Sequence, residues 1–145
     1  MTRSQIYIDR PPEAVWRTIS DPYSYERWLV GCKAIRSVDA AWPRPDSRFH
    51  HRVGLLGPLT VKDSTKVIDS LPEEVLLLEA RARPAGIASV RFELAAKDGG
   101  TELSLSEAAR GRLVRWIWGP LVDLGIRLRN ERSLGRLKSL LESAG

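Results

Sequence analysis

Between residues 33 and 108 the apolar side chains recur at every second position, and no break between the runs is long enough to hold a helix. Such spacing forces successive strands to pair antiparallel, because a parallel connection needs a crossover of a dozen residues or more. Six strands are expected, over 33–39, 47–54, 59–70, 75–83, 87–97 and 101–108. The breaks carry turn chemistry: Trp42-Pro43-Arg44-Pro45, Gly54 to Pro58, Leu71-Pro72, Pro84-Ala85-Gly86 and Asp98-Gly99-Gly100, the last a strong hairpin signal.

Helical signals flank this block. Gln5 to Ile8 reads as a short first strand, and Asp9 to Ser20 as a helix with prolines at its start and Glu13 in its first turn. Asp21 is placed to cap a second short helix, with Pro22 at its first position and Trp28 on its body. After Gly111 the apolar period becomes helical to about Leu141, with Pro120 marking either a kink or a delayed start. Nearly 30 residues in one helix would reach about 45 Å, enough to lie along a whole curved sheet.

Bulk properties exclude more than they assign. The chain has 145 residues, 43% hydrophobic and 28% charged, which suits one globular domain over 1–145. Cys32 is alone, so neither an internal disulfide nor a Cys-x-x-Cys site is available. The N-terminal segment lacks an apolar stretch of signal-peptide length and no segment approaches a membrane span, so a soluble, cytoplasmic protein is expected. The +5 charge is spread along the chain without a nucleic-acid motif, so no nucleic-acid partner is expected. No dinucleotide, phosphate-loop or nucleophile-elbow motif occurs, and neither cofactor nor metal is expected.

The opening Ile6-Tyr7-Ile8-Asp9-Arg10-Pro11-Pro12-Glu13-Ala14-Val15-Trp16, followed by Ser20-Asp21-Pro22 and Trp28, resembles the START-like (SRPBCC) superfamily. The likeness is greatest to its polyketide cyclase/dehydrase group. Pro45-Asp46-Ser47-Arg48-Phe49 is similar to that group's Pro-Gly-Ser-x-Phe segment, with Asp46 in the glycine's place. The resemblance implies an α+β helix-grip fold: a curved antiparallel seven-strand sheet around a long C-terminal helix, with two short helices after the first strand. It also implies a cavity between sheet and helix for a small hydrophobic molecule.

Alternation then nominates the cavity wall. From the sheet it selects Phe49, His51, Val53, Val61, Asp63, Leu78, Ala80, Val90, Phe92, Leu105 and Glu107, with small residues at 80, 82 and 88 leaving open volume. From the helix it selects Ile117, Leu121, Leu124 and Leu128, places Arg127 and Glu131 near the same face, and sends Arg115, Arg129, Arg132 and Arg136 outward. His50 and His51 point to opposite faces and cannot share one metal ion. If Val53 pairs with Leu59, His51 and Asp63 become diagonal neighbours about 7–8 Å apart.

Three function classes stay open. The leading one is binding of a lipid-, polyketide- or isoprenoid-like ligand. The second is a cyclase or dehydratase in which His51, with Asp63 or Glu107, moves a proton. The third is a module that forms a homodimer or docks on a membrane through 113–126, where apolar residues cover much of the helix circumference.

Overall fold

A computed structural model describes residues 2–56, 59–82, 86–110 and 112–143, with side chains throughout except at 55–56, 59, 82, 110, 112–120 and 122. Seven strands form one antiparallel sheet in the order β1-β7-β6-β5-β4-β3-β2. They are β1 (Thr2–Ile8), β2 (Cys32–Val38), β3 (Arg48–Leu56), β4 (Leu59–Leu71), β5 (Val75–Ala82), β6 (Gly86–Lys97) and β7 (Gly100–Arg110). Between β1 and β2 come α1 (Pro12–Ile19), a 3-10 turn (Pro22–Ser24) and α2 (Tyr25–Trp28); α3 (Arg112–Ser143) closes the chain. This is the expected α+β architecture. The last helix includes Pro120, so the proline does not mark a delayed start.

Local chemistry explains the elements. Asp21 caps the 3-10 turn by accepting from the Tyr23 N–H at 3.1 Å, and Pro22 follows it at the first position, where a missing N–H is harmless. The Ser24 hydroxyl donates toward the Thr18 and Asp21 carbonyls, each at 2.8 Å, and accepts from Trp28 Nε1 at 3.0 Å. Asp46 has φ 71°, the left-handed conformation that a glycine at this position would adopt with least strain. In the β6–β7 hairpin, Asp98 and Gly99 have φ 49° and 80° between the paired Lys97 and Gly100, as a tight two-residue turn requires.

The core fills the closed half of the sheet's concave face. Leu76, Phe92 and Leu105 are neighbours across β5, β6 and β7, and Leu94 pairs with Leu103 beyond them. Leu134, Leu137 and Leu141 of α3 are buried in the same cluster, with Val15 and Ile19 of α1 and Trp28 of α2. On the convex face, alternation sends Arg48, His50 and Arg52 away from the core, as the sequence predicts, and Arg52 is exposed.

The β6–β7 turn also fixes β1. A Cβ at Gly100 would stand 2.5 Å from the Ile8 carbonyl oxygen and collide with the Tyr7 hydroxyl, whereas one at Gly99 would meet open space. Gly100→Ala is therefore expected to destabilise by about 1–3 kcal/mol through overpacking. Gly99→Ala should cost about 1–2 kcal/mol through its left-handed backbone alone. Chemical denaturation checks both, and a second substitution at Tyr7→Ala should relieve only the side-chain part of the first, because the Ile8 carbonyl oxygen stays in the way, and leave the second unchanged.

Candidate functional site

Beyond the filled half of the sheet the side chains become smaller. Ala80, Ala88 and Ala109 are cross-strand neighbours on β5, β6 and β7, and Thr65 of β4 pairs with Ala80. The next row, Leu78, Val90 and Glu107, is larger, and the row after it, Leu76, Phe92 and Leu105, is part of the core. The taper leaves a cavity of about 310 Å³ between sheet and α3, bordered by all three alanines. Its inner end is aromatic. Tyr25 and Trp28 of α2 meet Phe49 and Phe92 edge-on, with ring centroids 5.4 and 6.2 Å apart, and Phe49 touches the His51 ring.

Two polar groups interrupt the apolar wall. On β3, His51 is 3% exposed and its Nε2 lies 3.0 Å from the Thr65 hydroxyl, while Nδ1 has no hydrogen-bond partner. Burial lowers its pKa, outweighing the Ser64 backbone and Asp63, which favour the charged form; Arg36 and His50 reinforce burial. The imidazole is thus neutral near pH 7. On the opposite side, one Arg129 nitrogen of α3 donates to both Glu107 carboxylate oxygens at 2.5 Å. Beside them Asn130, 1% exposed, has an unpartnered amide nitrogen. Cys32 also borders the cavity; burial, aided by Glu26, pushes its thiol up to about 11, so it stays protonated.

A sequence profile described as "Polyketide cyclase / dehydrase and lipid transport" matches residues 2–142. The chain belongs to that family. Among solved structures, protein CV1439 from Chromobacterium violaceum has a TM-score of 0.76 at 19% identity, covering 97% of this chain and 96% of its own. Protein NE0264 from Nitrosomonas europaea has a TM-score of 0.76 at 18% identity, covering 99% and 94%. Protein MLL2253 from Mesorhizobium loti has 0.71 at 21%, covering 99% and 98%. At these identities the likeness concerns the fold. No curated protein matches the chain.

Within this polyketide cyclase/dehydrase and lipid transport fold, most of the sheet residues named from alternation border the cavity. Phe49, His51 and Val53 do so on β3, Leu78 and Ala80 on β5, and Val90, Phe92, Leu105 and Glu107 on β6 and β7. Val61 and Asp63 do not. The expected β3–β4 register is corrected by two residues: Val53 pairs with Val61, His51 with Asp63 and Phe49 with Thr65. The cause is that the strands continue into the segment read as a loop, with Leu56 paired to Leu59 after an irregularity at Gly54. Asp63 accepts from the Ser64 N–H at 2.9 Å, and the imidazole's hydrogen bond goes to Thr65. Asp63 stands directly opposite His51 on β4, whereas three strands separate Glu107 on β7 from β3, about 19 Å along the sheet.

The helix face needs the larger correction. Leu121, Leu124 and Leu128 are 61%, 52% and 57% exposed and do not border the cavity; Ile126, Arg129 and Asn130 do. Arg127 and Glu131, expected near the inner face, are exposed and paired with each other at 3.2 Å. The side chains of Ile117 and the rest of 113–120 lie outside the described residues. Extrapolating backward from Leu134, Leu137 and Leu141 by helical steps leads to Asn130 and Ile126, a signal the leucine spacing alone concealed. Among the described residues no helix is long and apolar enough to cross a membrane, and no group of three metal-ligating side chains converges.

The depressed His51 pKa fixes a sign. Above pH 6.5 the imidazole is neutral whether folded or unfolded; below it the unfolded chain takes up a proton that the folded protein resists. Stability should therefore fall as pH drops from about 6.5 toward 5, by at most about 1.4 kcal/mol per pH unit from this one group. Urea titrations of the wild type and His51→Gln should diverge over that window, the wild type losing more. Parallel curves would contradict the assignment.

Proposed function

We propose that the protein binds a small, mostly hydrophobic molecule, lipid-, polyketide- or isoprenoid-like, in the cavity between sheet and α3. The row of Ala80, Ala88 and Ala109 carries this reading, because larger side chains there would close the space and bury more apolar surface. An apolar wall of aromatic and aliphatic groups with a few fixed polar ones is the usual composition of a small-molecule site, and the volume lies within the usual range. The sheet residues that border the cavity, with Tyr25, Trp28, Ile126 and Asn130 added, are the proposed ligand contacts.

Native mass spectrometry of protein purified from cells should reveal a bound molecule of low mass. Ala88→Leu should remove that mass while keeping or raising the melting temperature, since the new side chain fills empty volume. A bound mass unchanged in Ala88→Leu would place the ligand elsewhere.

A second reading, a cyclase or dehydratase step with His51 as general base, draws support from one observation: the imidazole is neutral and borders the cavity. The Thr65 hydroxyl would orient it, with Asp63 directly opposite across β3 and β4. Under this reading His51→Gln abolishes conversion of the recovered molecule and leaves its binding within about threefold, whereas under the carrier reading no conversion occurs with either protein.

A further inference from the structure

The cavity has two polar ends and no free charge among its described residues. Glu107 and Arg129 neutralise each other, and Arg81, which also borders the space, is paired with Glu79 at 3.1 Å. The remaining polar side chains, His51, Thr65, Asn130, Tyr25 and Cys32, are neutral. Between the two ends lie Leu78, Val90, Phe92 and Leu105.

Resting on the ligand-binding reading above, we propose that the ligand is a neutral, elongated molecule with a hydroxyl or carbonyl at each end, not a carboxylate-headed lipid. A carboxylate would enter a wall where each described cation is already matched, leaving one uncompensated buried charge. A neutral oxygen is suited to both ends. At the first, a hydroxyl or carbonyl satisfies His51 Nδ1, which can donate or accept according to tautomer because Nε2 shares a bond with a hydroxyl that can do either. At the second, an oxygen accepts from the Asn130 amide or from the Arg129 Nε–H, which is also unpartnered, and a hydroxyl can also donate to Glu107, whose carboxylate retains lone pairs beyond those used by Arg129. Unpartnered buried polar atoms are costly, so ligand oxygens here relieve a penalty already present in the empty protein.

A matched series tests the ends separately from the apolar middle. Isothermal titration would use biphenyl bearing one para hydroxyl, two para hydroxyls, or one para hydroxyl and one para carboxylate, with the same three end patterns on a longer stilbene core. On the core that spans the cavity, the diol should bind roughly three- to tenfold tighter than the mono-ol, one hydrogen bond's worth, and the carboxylate weaker than the diol. His51→Phe and Asn130→Leu, each first shown to be folded by circular dichroism, should each erase the diol's advantage. A carboxylate that binds tightest, or a diol no tighter than the mono-ol on both cores, overturns the two-ended neutral ligand while leaving ligand binding intact. Failure of all six compounds, together with no bound mass in the native spectrum, overturns both.

Discussion

The arrangement depends on a wedge of aromatic residues between the sheet and the last helix. Trp28 is fully buried, and its indole N–H is held by Ser24, itself held by the carbonyls of Thr18 and Asp21. The indole rests edge-on against Phe92 of β6, and Tyr25, whose hydroxyl donates to the Ile19 carbonyl, rests against Phe49 of β3. One residue beyond Leu29, the Val30 N–H donates to Ser133 of α3 at 3.0 Å. Two distant strands and the helix are thus tied to one short segment. Truncating a buried aromatic of this size typically costs about 3–5 kcal/mol, so the wedge can hold the helix in place without a filled core along its whole length. The cavity is the space that the wedge makes unnecessary to fill.

This division of labour explains which parts of the fold were legible in the sequence. Strand alternation is a property of each segment alone, and it separated His50 from His51 correctly because adjacent strand residues must face opposite ways. The capping Asp21, the Asp46 turn and the 98–100 hairpin were likewise local, each set by the backbone conformation that its residues accept. Register is not local. The stretch from Gly54 to Pro58 has the composition of a loop, yet its start continues the strand. Two extra residues of pairing then set Asp63 directly opposite His51 and brought Thr65 within hydrogen-bond reach of the imidazole. The taper from Leu76-Phe92-Leu105 to Ala80-Ala88-Ala109 emerges only when three registers are known together.

The helix illustrates the opposite failure. A rule that apolar residues face inward selects Leu121, Leu124 and Leu128, all of which are exposed. The inward face instead carries Arg129, Asn130 and Ser133, and each has a structural or cavity-facing partner: Glu107 for Arg129, the Arg129 guanidinium at 3.4 Å for the Asn130 carbonyl, and the Val30 N–H for Ser133. Binary patterning reads such residues as surface because burying them is unfavourable in general. It fails where the neighbouring element supplies their hydrogen bonds, and a cavity wall is such a place.

Charge follows the same partition. Across β3 and β4, Arg48 stands opposite Lys66 and Arg52 opposite Lys62, so like charges face each other directly on the convex side. Such pairs disfavour the sheet by a fraction of a kcal/mol each, a cost that exposure and salt reduce. Glu79, opposite Lys66 on the next strand, is itself paired with Arg81. The excess of five positive charges is therefore carried partly by a solvated outer face that the cavity does not share. The basic pI describes that outer face. Inside, where dielectric screening is weak, Glu107 and Arg129 occur as a matched pair, and recognition there is left to shape and to neutral hydrogen bonds.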